Sequence, residues 1–334
     1  MRREFKLTLV AVALLGLFSC SIEHEVNPPL PQEEDAISFS NVSTRADLSD
    51  IQADGFGVWA FIDNNTVQNY VLMDNQKVTY KDGVWTYSPL KYWIDDTVFT
   101  FMATYPYDQA RDNFTVDTAN KAIKLAVSET PSLVDFLLAE NVTDTSDDGY
   151  STTVPLQFKH MLTSVTLNIW REGVKHQNDQ MRITKVTLSN IRKNGSYSSA
   201  TDMWTYDGDK LTVEEVNTNL SDSDNIGGAT NNNGSLTTGG IPATPFGTMM
   251  LLPQALDNSN LVSLKIEYQL KRQNAASWET AELETVLPTI TWIAGQQYTY
   301  NVVLSSVTDI TVYYIQTKVD PWGTPQVGGT VIIK

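Results

Sequence analysis

The chain of 334 residues is poor in the residue types on which most site chemistry depends. It contains 1 cysteine, so an internal disulfide and a zinc site built from cysteine ligands are excluded. Its 3 histidines leave little for metal binding or acid–base catalysis. Basic residues are scarce as well, and a net charge of −16 without a basic run argues against nucleic-acid binding.

The common catalytic motifs are also missing. The sequence has no GxSxG elbow, Walker A loop, GxGxxG turn or HExxH pair. His160 enters a strand without a visible nucleophile or orienting acid, so the favoured interpretation is a buried histidine that hydrogen-bonds the backbone. We therefore expect a protein that is not an enzyme, with no catalytic residue, no bound metal and no cofactor.

Residues 1–19 are predicted to be a signal peptide. A basic start is followed by the apolar residues 7–18, a stretch too short to cross ~30 Å of hydrocarbon as a helix. Residues 17–20 (LFSC) look like a bacterial lipobox, so Cys20 is the predicted lipidation site and its acyl chains are expected to anchor the protein in membrane lipid. The alternative is an ordinary secretory leader with an incidental thiol at Cys20.

The mature chain is predicted to consist of a flexible tether followed by an all-β protein. Residues 20–35 are acidic and Pro-rich without an apolar period, which is typical of a tether. Beyond them, short β-type runs are separated by Gly, Asn, Asp and Pro, and no convincing helical stripe follows. This spacing predicts two β-sandwich domains in tandem, at residues 36–157 and 158–334.

Two β-hairpins are predicted where an Asp-Gly pair separates two β-type runs, at residues 77–87 and 203–213. The pair supplies the positive φ angles of a type I′ turn, at residues 82–83 in the first hairpin and 207–208 in the second. Residues 217–240 are rich in Asn, Ser, Gly and Thr and predict a long surface loop.

Several runs, taken in order along the chain, resemble a known family. They are Asn41–Ala46 (NVSTRA), Phe56–Phe61 (FGVWAF), Trp85–Trp93 (WTYSPLKYW), Val98–Tyr107 (VFTFMATYPY), Val154–Leu162 (VPLQFKHML), Leu251–Gln254 (LLPQ) and Tyr298–Val302 (YTYNV). With the lipobox and tether, this pattern is similar to the Bacteroidales fimbrillins, also called type V pilus subunits, and the fimbrillin-like lipoproteins around them. The resemblance implies two transthyretin-like β-sandwich domains, export as a surface-exposed outer-membrane lipoprotein, and assembly of pilin subunits into an adhesive pilus by donor-strand exchange.

The resemblance also implies a site of proteolytic maturation. In the family an Arg-specific protease cuts after an arginine that follows the first strand, and Arg45-Ala46 occupies the matching place here. In the preceding strand Ile37 and Phe39 share one face, and burying each should stabilise the strand by roughly 1.5–3 kcal/mol. Cleavage would make this strand a separate peptide, whose departure exposes an apolar groove and unpaired strand edges.

The candidate donor strand is the C-terminal end of the chain, which holds Val327, Val331, Ile332 and Ile333. Its β-branched residues suit a strand. Donation from each subunit to the next does not close on itself, so it would build a head-to-tail filament. The alternative is that this strand pairs within its own C-terminal domain.

A second function also fits the sequence: a surface lipoprotein adhesin that binds a glycan or a host ligand and never polymerises. Its binding surface would be a cluster of exposed aromatic side chains, with Trp85, Trp93 and Trp204 as candidates. For a pilin, the sequence leaves the stalk, tip and anchor roles open. An anchor subunit would keep the lipid on Cys20 and stay uncut.

Overall fold

The structure is a computed structural model that describes residues 36–44, 48–128, 130, 132, 134–146, 152–172, 179–216, 228–232, 235–239, 248–305, 311–321 and 330–333. The predicted signal peptide and tether, with Cys20, lie outside the described residues. Among the residues that are described, no helix has the length and the apolar character needed to cross a membrane.

Strands make up almost all of the regular structure, which confirms the predicted all-β class. One short helix, α1 (Leu48–Asp54), was not predicted. The strands of the first half are β1 (Ser38–Thr44), β2 (Phe56–Asp63), β3 (Tyr70–Lys81), β4 (Val84–Thr86), β5 (Val98–Tyr105), β6 (Phe114–Asp117), β7 (Ala122–Val127), β8 (Leu137–Asp144) and β9 (Thr153–His160). Those of the second half are β10 (Thr163–Glu172), β11 (Gln180–Arg192), β12 (Gly195–Ser198), β13 (Met203–Tyr206), β14 (Lys210–Val216), β15 (Gly228–Asn232), β16 (Ser235–Gly239), β17 (Met249–Leu251), β18 (Gln254–Leu256), β19 (Ser263–Lys271), β20 (Glu279–Val286), β21 (Ile290–Trp292), β22 (Gln296–Ser305), β23 (Thr311–Pro321) and β24 (Thr330–Ile333).

A 7-stranded sheet organises the first half, in the order β1-β9-β8-β5-β2-β3-β4. Strand β2 is a continuous apolar run, and since neighbouring residues of a strand point to opposite faces, both faces of the sheet are buried there. Val58 and Ala60 belong to the core on one face, whereas Trp59 and Phe61 belong to the core on the other. Strands β6, β7 and β12 of a second sheet contribute to that other core.

The second half encloses its own core between two further sheets. One contains β10, β22, β23 and β24, and the other has the order β14-β11-β19-β20. Every second residue of β19 is buried, among them Leu264 and Ile266, and they share this core with Tyr300 and Val302 of β22. The alternating pattern of apolar residues thus predicts which face of each strand is inside.

The two predicted hairpins have different outcomes. Strands β3 and β4 pair antiparallel around a turn in which Asp82 and Gly83 have φ angles of 53° and 87°. The second hairpin prediction is wrong, because β13 pairs with β12 and β14 pairs with β11. Asp207 and Gly208 lack positive φ angles, so no type I′ turn joins the strands that flank them.

The loop predicted at residues 217–240 is only partly correct. Strands β15 and β16 lie inside it and pair antiparallel, from Gly228↔Gly239 to Asn232↔Ser235. The dipeptide between these two strands is Asn-Gly, which is itself a hairpin signal. The polar composition of the whole segment concealed this local signal.

Strands from the two halves of the chain share one sheet. Strand β12 pairs with β7, from Gly195↔Val127 to Ser198↔Lys124. Strand β9 runs through the predicted boundary at residues 157–158. The division into two sandwich domains at that boundary stays a prediction.

Candidate functional site

The strand that precedes Arg45 is β1, which lies at the edge of the 7-stranded sheet. It pairs in parallel with β9, in a register that runs from Ser38↔Thr153 to Thr44↔Phe158. The Ser38 hydroxyl adds a hydrogen bond of 3.1 Å to the Thr153 hydroxyl oxygen. One side of β1 is therefore bonded to the sheet through β9.

The chain that follows β4 holds the beginning of this segment from its other side. The Ile37 N–H donates to the Lys91 carbonyl at 2.8 Å, and Ala36 forms an isolated antiparallel bridge with Tyr92. The Tyr87 hydroxyl donates to the Ile37 carbonyl at 2.8 Å and accepts from the Lys91 N–H at 3.3 Å. The backbone N–H and C=O of Ile37 are thus both bonded to this stretch of chain.

Ile37 and Phe39 are buried, with 1% and 5% of their surface exposed. The Phe39 ring lies 5.7 Å from the Tyr87 ring and 6.2 Å from the rings of Phe56 and Phe101, measured between centroids. Tilted and edge-on contacts of this kind add to the stabilisation that comes from burial. The two side chains therefore fill an apolar groove, in which the rings that contact Phe39 belong to β2, β5 and the chain after β4.

Tyr87 is a functional candidate whose role at this groove the sequence does not reveal. Burial raises the pKa of Tyr87 from 10.0 to about 12, against the lowering effect of its hydrogen bond with the Lys91 backbone. The phenol is therefore neutral at physiological pH and keeps the proton that it donates to Ile37. Its run, Trp85–Trp93, is conspicuous in the sequence, but nothing in the run shows which carbonyl the hydroxyl reaches.

The predicted cleavage site, Arg45-Ala46, lies outside the described residues. In the sequence it stands between the end of β1 at Thr44 and the start of α1 at Leu48. A cut there would leave β1 attached to the remainder of the fold through non-covalent contacts.

The candidate donor strand is described in part. Strand β24 contains Val331, Ile332 and Ile333 and pairs antiparallel with β23, at the end of its sheet. Val327 lies outside the described residues. This pairing corresponds to the alternative that the sequence left open, and donation of β24 to a neighbouring subunit stays a prediction.

The three tryptophans considered for ligand binding do not form one surface. Trp85 lies 4.9 Å from Phe56 and Trp93 lies 4.8 Å from Phe99, between ring centroids, so both pack against the core that also holds Phe39. Trp204 packs against the core on the opposite face of the 7-stranded sheet. Trp85 and Trp93 are therefore half-buried packing residues, and Trp204 stands apart from them.

His160 is buried, as predicted. One partner of its ring is the side chain of Asp135, whereas the prediction was a hydrogen bond to the backbone. Its Nδ1 lies 3.0 Å from Asp135 Oδ1, and the two groups form an ion pair when the imidazole is protonated. This contact joins the end of β9 to the residues just before β8. Within the described part of the chain, no group of 3 or more histidine, cysteine or carboxylate side chains is placed to hold a metal ion.

Comparisons with known proteins point to one family. A profile described as fimbrillin-like matches residues 44–322. Among solved structures, a fimbrial protein from Bacteroides vulgatus has a TM-score of 0.63 and 20% identity, covering 86% of this chain and 99% of that chain. A protein described as a cell adhesion protein from Bacteroides uniformis has a TM-score of 0.47 and 15% identity, covering 86% of this chain and 98% of that chain. No curated protein matches the chain.

The profile covers most of the chain, and the Bacteroides vulgatus structure has the same fold. Both findings confirm the resemblance drawn from the runs between Asn41 and Val302. The chain therefore belongs to the fimbrillin-like family, which consists of structural and adhesion proteins of Bacteroidales rather than enzymes.

Proposed function

We propose that this protein is a structural subunit of a cell-surface pilus that supports adhesion. It is exported as an outer-membrane lipoprotein precursor through Cys20, cut after Arg45 by an Arg-specific protease, and polymerised by donor-strand exchange. Its two transthyretin-like sandwich domains comprise residues 36–157 and 158–334. Its partners are other pilin subunits, the protease and, before maturation, membrane lipid.

The observation that carries this proposal is the burial of Phe39 on an edge strand that directly precedes Arg45, and of Ile37 just before that strand. An edge strand has one strand neighbour in its sheet, so it can leave without breaking the order of the other strands. A linker that a protease can cut would convert this strand from a covalent part of the fold into a dissociable peptide. The arrangement suits a segment that closes the groove until maturation.

Departure of β1 would uncover groups that favour a replacement strand. The edge of β9 would lose its backbone partners, and the Tyr87 hydroxyl would lose the Ile37 carbonyl. Phe56 and Phe101 would lose the ring of Phe39. Exposed apolar side chains beside an unpaired strand edge form a template for strand addition from another chain.

Strand β24 is the proposed replacement strand. Among the described strands it pairs with β23, at the end of its sheet, and the sequence before it contains Gly328-Gly329, a residue type with a wide choice of backbone conformations. Its β-branched residues Val331, Ile332 and Ile333 could occupy the positions that Ile37 and Phe39 leave. Because donor and acceptor sites differ, each subunit would bind the next and the chain of subunits would grow as a filament.

The proposal is tested by treating the purified chain that begins at residue 20 with an Arg-specific protease. Size-exclusion chromatography and electron microscopy follow the products. We expect loss of the peptide that ends at Arg45, followed by filaments. The Arg45→Ala chain should remain monomeric under the same treatment.

A second variant separates cleavage from assembly. A chain that lacks residues 330–334 should be cut normally and stay monomeric, because it has no strand to donate. Cleaved full-length chains that release the β1 peptide and nevertheless remain monomers would contradict donor-strand exchange. Filaments formed by the truncated chain would show that another segment is donated.

A surface adhesin that does not polymerise is the second candidate function. One observation favours it: Trp204 lines a large cavity to which β1 contributes no residue.

A further inference from the structure

The hairpin of β12 and β13 carries a row of aromatic side chains on one face. Tyr197 of β12 lies directly opposite Trp204 of β13, and Tyr206 follows two positions later on the same face. The rings of Tyr197 and Trp204 are 5.7 Å apart between centroids. Tyr206 lies opposite Gly195, where a Cβ atom would come within 3.3 Å of the Tyr206 ring. The glycine therefore leaves space for that ring.

Both tyrosines in this row are held in place through their hydroxyl groups. The Tyr197 hydroxyl donates to Asp202 Oδ1 at 2.8 Å, and the Tyr206 hydroxyl donates to the Pro253 carbonyl. The Arg192 guanidinium lies 5.7 Å from the Tyr206 ring centroid. The rings are therefore fixed before any ligand arrives, which lowers the entropic cost of binding to them.

These aromatic residues line a cavity of about 880 Å³. The volume is within the roughly 300–1,000 Å³ that is usual for small-molecule sites. The other walls come from distant parts of the sequence, namely the beginning of β8, the end of β9, residues 253–255 and the segment 291–296. Neither β1 nor β24 contributes a residue to the cavity, whereas β9, the strand that pairs with β1, forms one of its walls.

The rim of the cavity combines polar and apolar side chains. Glu140, Gln157 and Lys159 are exposed there, and none of the three side chains has a hydrogen bond or ion pair with another residue that the structure describes. Met203 and Ile293, also at the cavity, are 61% and 55% exposed. The site therefore presents free donors and acceptors next to aromatic and aliphatic surface.

This combination favours a carbohydrate over other ligands. The faces of a pyranose ring carry C–H groups that stack on aromatic rings, while its hydroxyls both donate and accept hydrogen bonds. The rim carries a carboxylate, an ammonium group and an uncharged amide, so both charge signs are present. Such a set of groups suits a neutral ligand rich in hydroxyls better than a strongly charged ligand. A purely apolar ligand would cover these polar groups without offering them hydrogen-bond partners, which disfavours binding.

We propose that this cavity is a binding site for a neutral oligosaccharide. A sugar ring stacks on Trp204, which the buried Tyr197 supports from the paired strand, and its hydroxyls bond to Glu140, Gln157 and Lys159. The site assigns a ligand class and a location to the adhesive role proposed above. This inference rests on that adhesive role and does not require polymerisation. A subunit that fails to polymerise could still bind sugar here, and a polymerising subunit could fail to bind it.

The test presents the purified chain that begins at residue 20 to an array of immobilised oligosaccharides. The array carries neutral chains ending in glucose, galactose, mannose or N-acetylglucosamine, with sialylated and sulfated chains for comparison. We expect binding to at least one neutral chain, with no gain from added negative charge. Binding confined to charged chains, or to none, would overturn the proposal.

Variants then locate the bound sugar, with titration calorimetry against the neutral chain that the array identifies. Trp204→Ala should weaken binding about ten-fold or more, as removal of an aromatic anchor does, and Trp204→Phe should restore part of it. Glu140→Gln should also weaken binding. This substitution should leave the fold intact, because Glu140 is exposed. Tyr70→Ala is the matched control, because Tyr70 is a 54% exposed tyrosine outside the cavity. Equal affinity in Trp204→Ala, Glu140→Gln and Tyr70→Ala would place the sugar elsewhere and overturn the assignment.

Discussion

At the scale of single residues, Tyr87 joins three parts of the candidate groove. Its hydroxyl bonds the Ile37 carbonyl and the Lys91 N–H, and its ring packs beside Phe39. Burial raises its pKa to about 12, so it acts on β1 as a neutral donor across the physiological range. Loss of this proton would remove the hydrogen bond to Ile37 and place a charge in an apolar environment.

We therefore expect alkaline pH to weaken the fold through Tyr87. In the unfolded chain the phenol ionises near pH 10.0, whereas in the folded protein it stays neutral up to about pH 12. Its stabilising contribution is complete below the unfolded pKa and is lost as the pH rises from about 10 toward 12. Urea unfolding across this range should show a steeper fall in the free energy of unfolding for the wild type than for Tyr87→Phe.

Comparison with Tyr87→Phe isolates this tyrosine, because the variant keeps every other titrating group. At neutral pH the same substitution removes one hydrogen bond and should cost about 1 kcal/mol. Parallel pH profiles for the two proteins would contradict the role assigned to Tyr87.

The residue scale also shows what local pattern can predict. Strict alternation in residues 36–40 was enough to place Ile37 and Phe39 together on one face, and both are buried. Tyr87 could not be identified in the same way, since its hydroxyl partner lies 50 positions away in the chain. The partner is chosen by the packing of β1 against the chain after β4.

At the scale of elements, the two Asp-Gly turns differ in backbone conformation. Gly83 closes the hairpin of β3 and β4 with a φ angle of 87°, a region that L-residues rarely adopt. Gly208 has no positive φ angle, and its flanking strands pair with other partners. A Cβ atom at either glycine would meet no other atom within 4 Å. The two positions therefore differ in backbone strain and not in space.

Gly83→Ala and Gly208→Ala form a matched pair of variants. Gly83→Ala should lower the free energy of unfolding by about 1–2 kcal/mol, because alanine is strained in the left-handed region. Gly208→Ala should change it by less than about 0.5 kcal/mol, as surface substitutions usually do. Urea denaturation curves measure both values. A cost for Gly208→Ala that equals the cost for Gly83→Ala would contradict the backbone argument.

At the scale of the whole molecule, the two halves of the chain share a sheet and a hydrophobic core. Strand β12 of the second half pairs with β7 of the first. Leu162, Tyr197 and Leu252 pack into the same core as Trp59 and Phe61. Separation at residue 157 would expose this core and unpair one edge of β7.

We expect the fragment 36–157 to be much less stable alone than within the whole chain. The whole chain from residue 20 should unfold in urea with coincident transitions by tryptophan fluorescence and circular dichroism, because the shared sheet couples the halves. The isolated fragment should unfold at a lower urea concentration or aggregate, and addition of the fragment 158–334 should restore part of its stability. A fragment as resistant to urea as the whole chain would contradict this coupling.

Local patterns along the chain were enough to predict the all-β class, the buried face of β1, the Asp82-Gly83 turn and the family. Each of these depends on the order of a few neighbouring residues. Alternation of apolar residues determines the buried face of a strand, and the turn residues determine the conformation of the turn. The tertiary structure alone decided that β13 pairs with β12, that Tyr87 bonds Ile37, and that Trp204 lies beside a cavity. Many strand pairings satisfy the same local pattern, and the choice among them depends on burying both faces of the sheets at once.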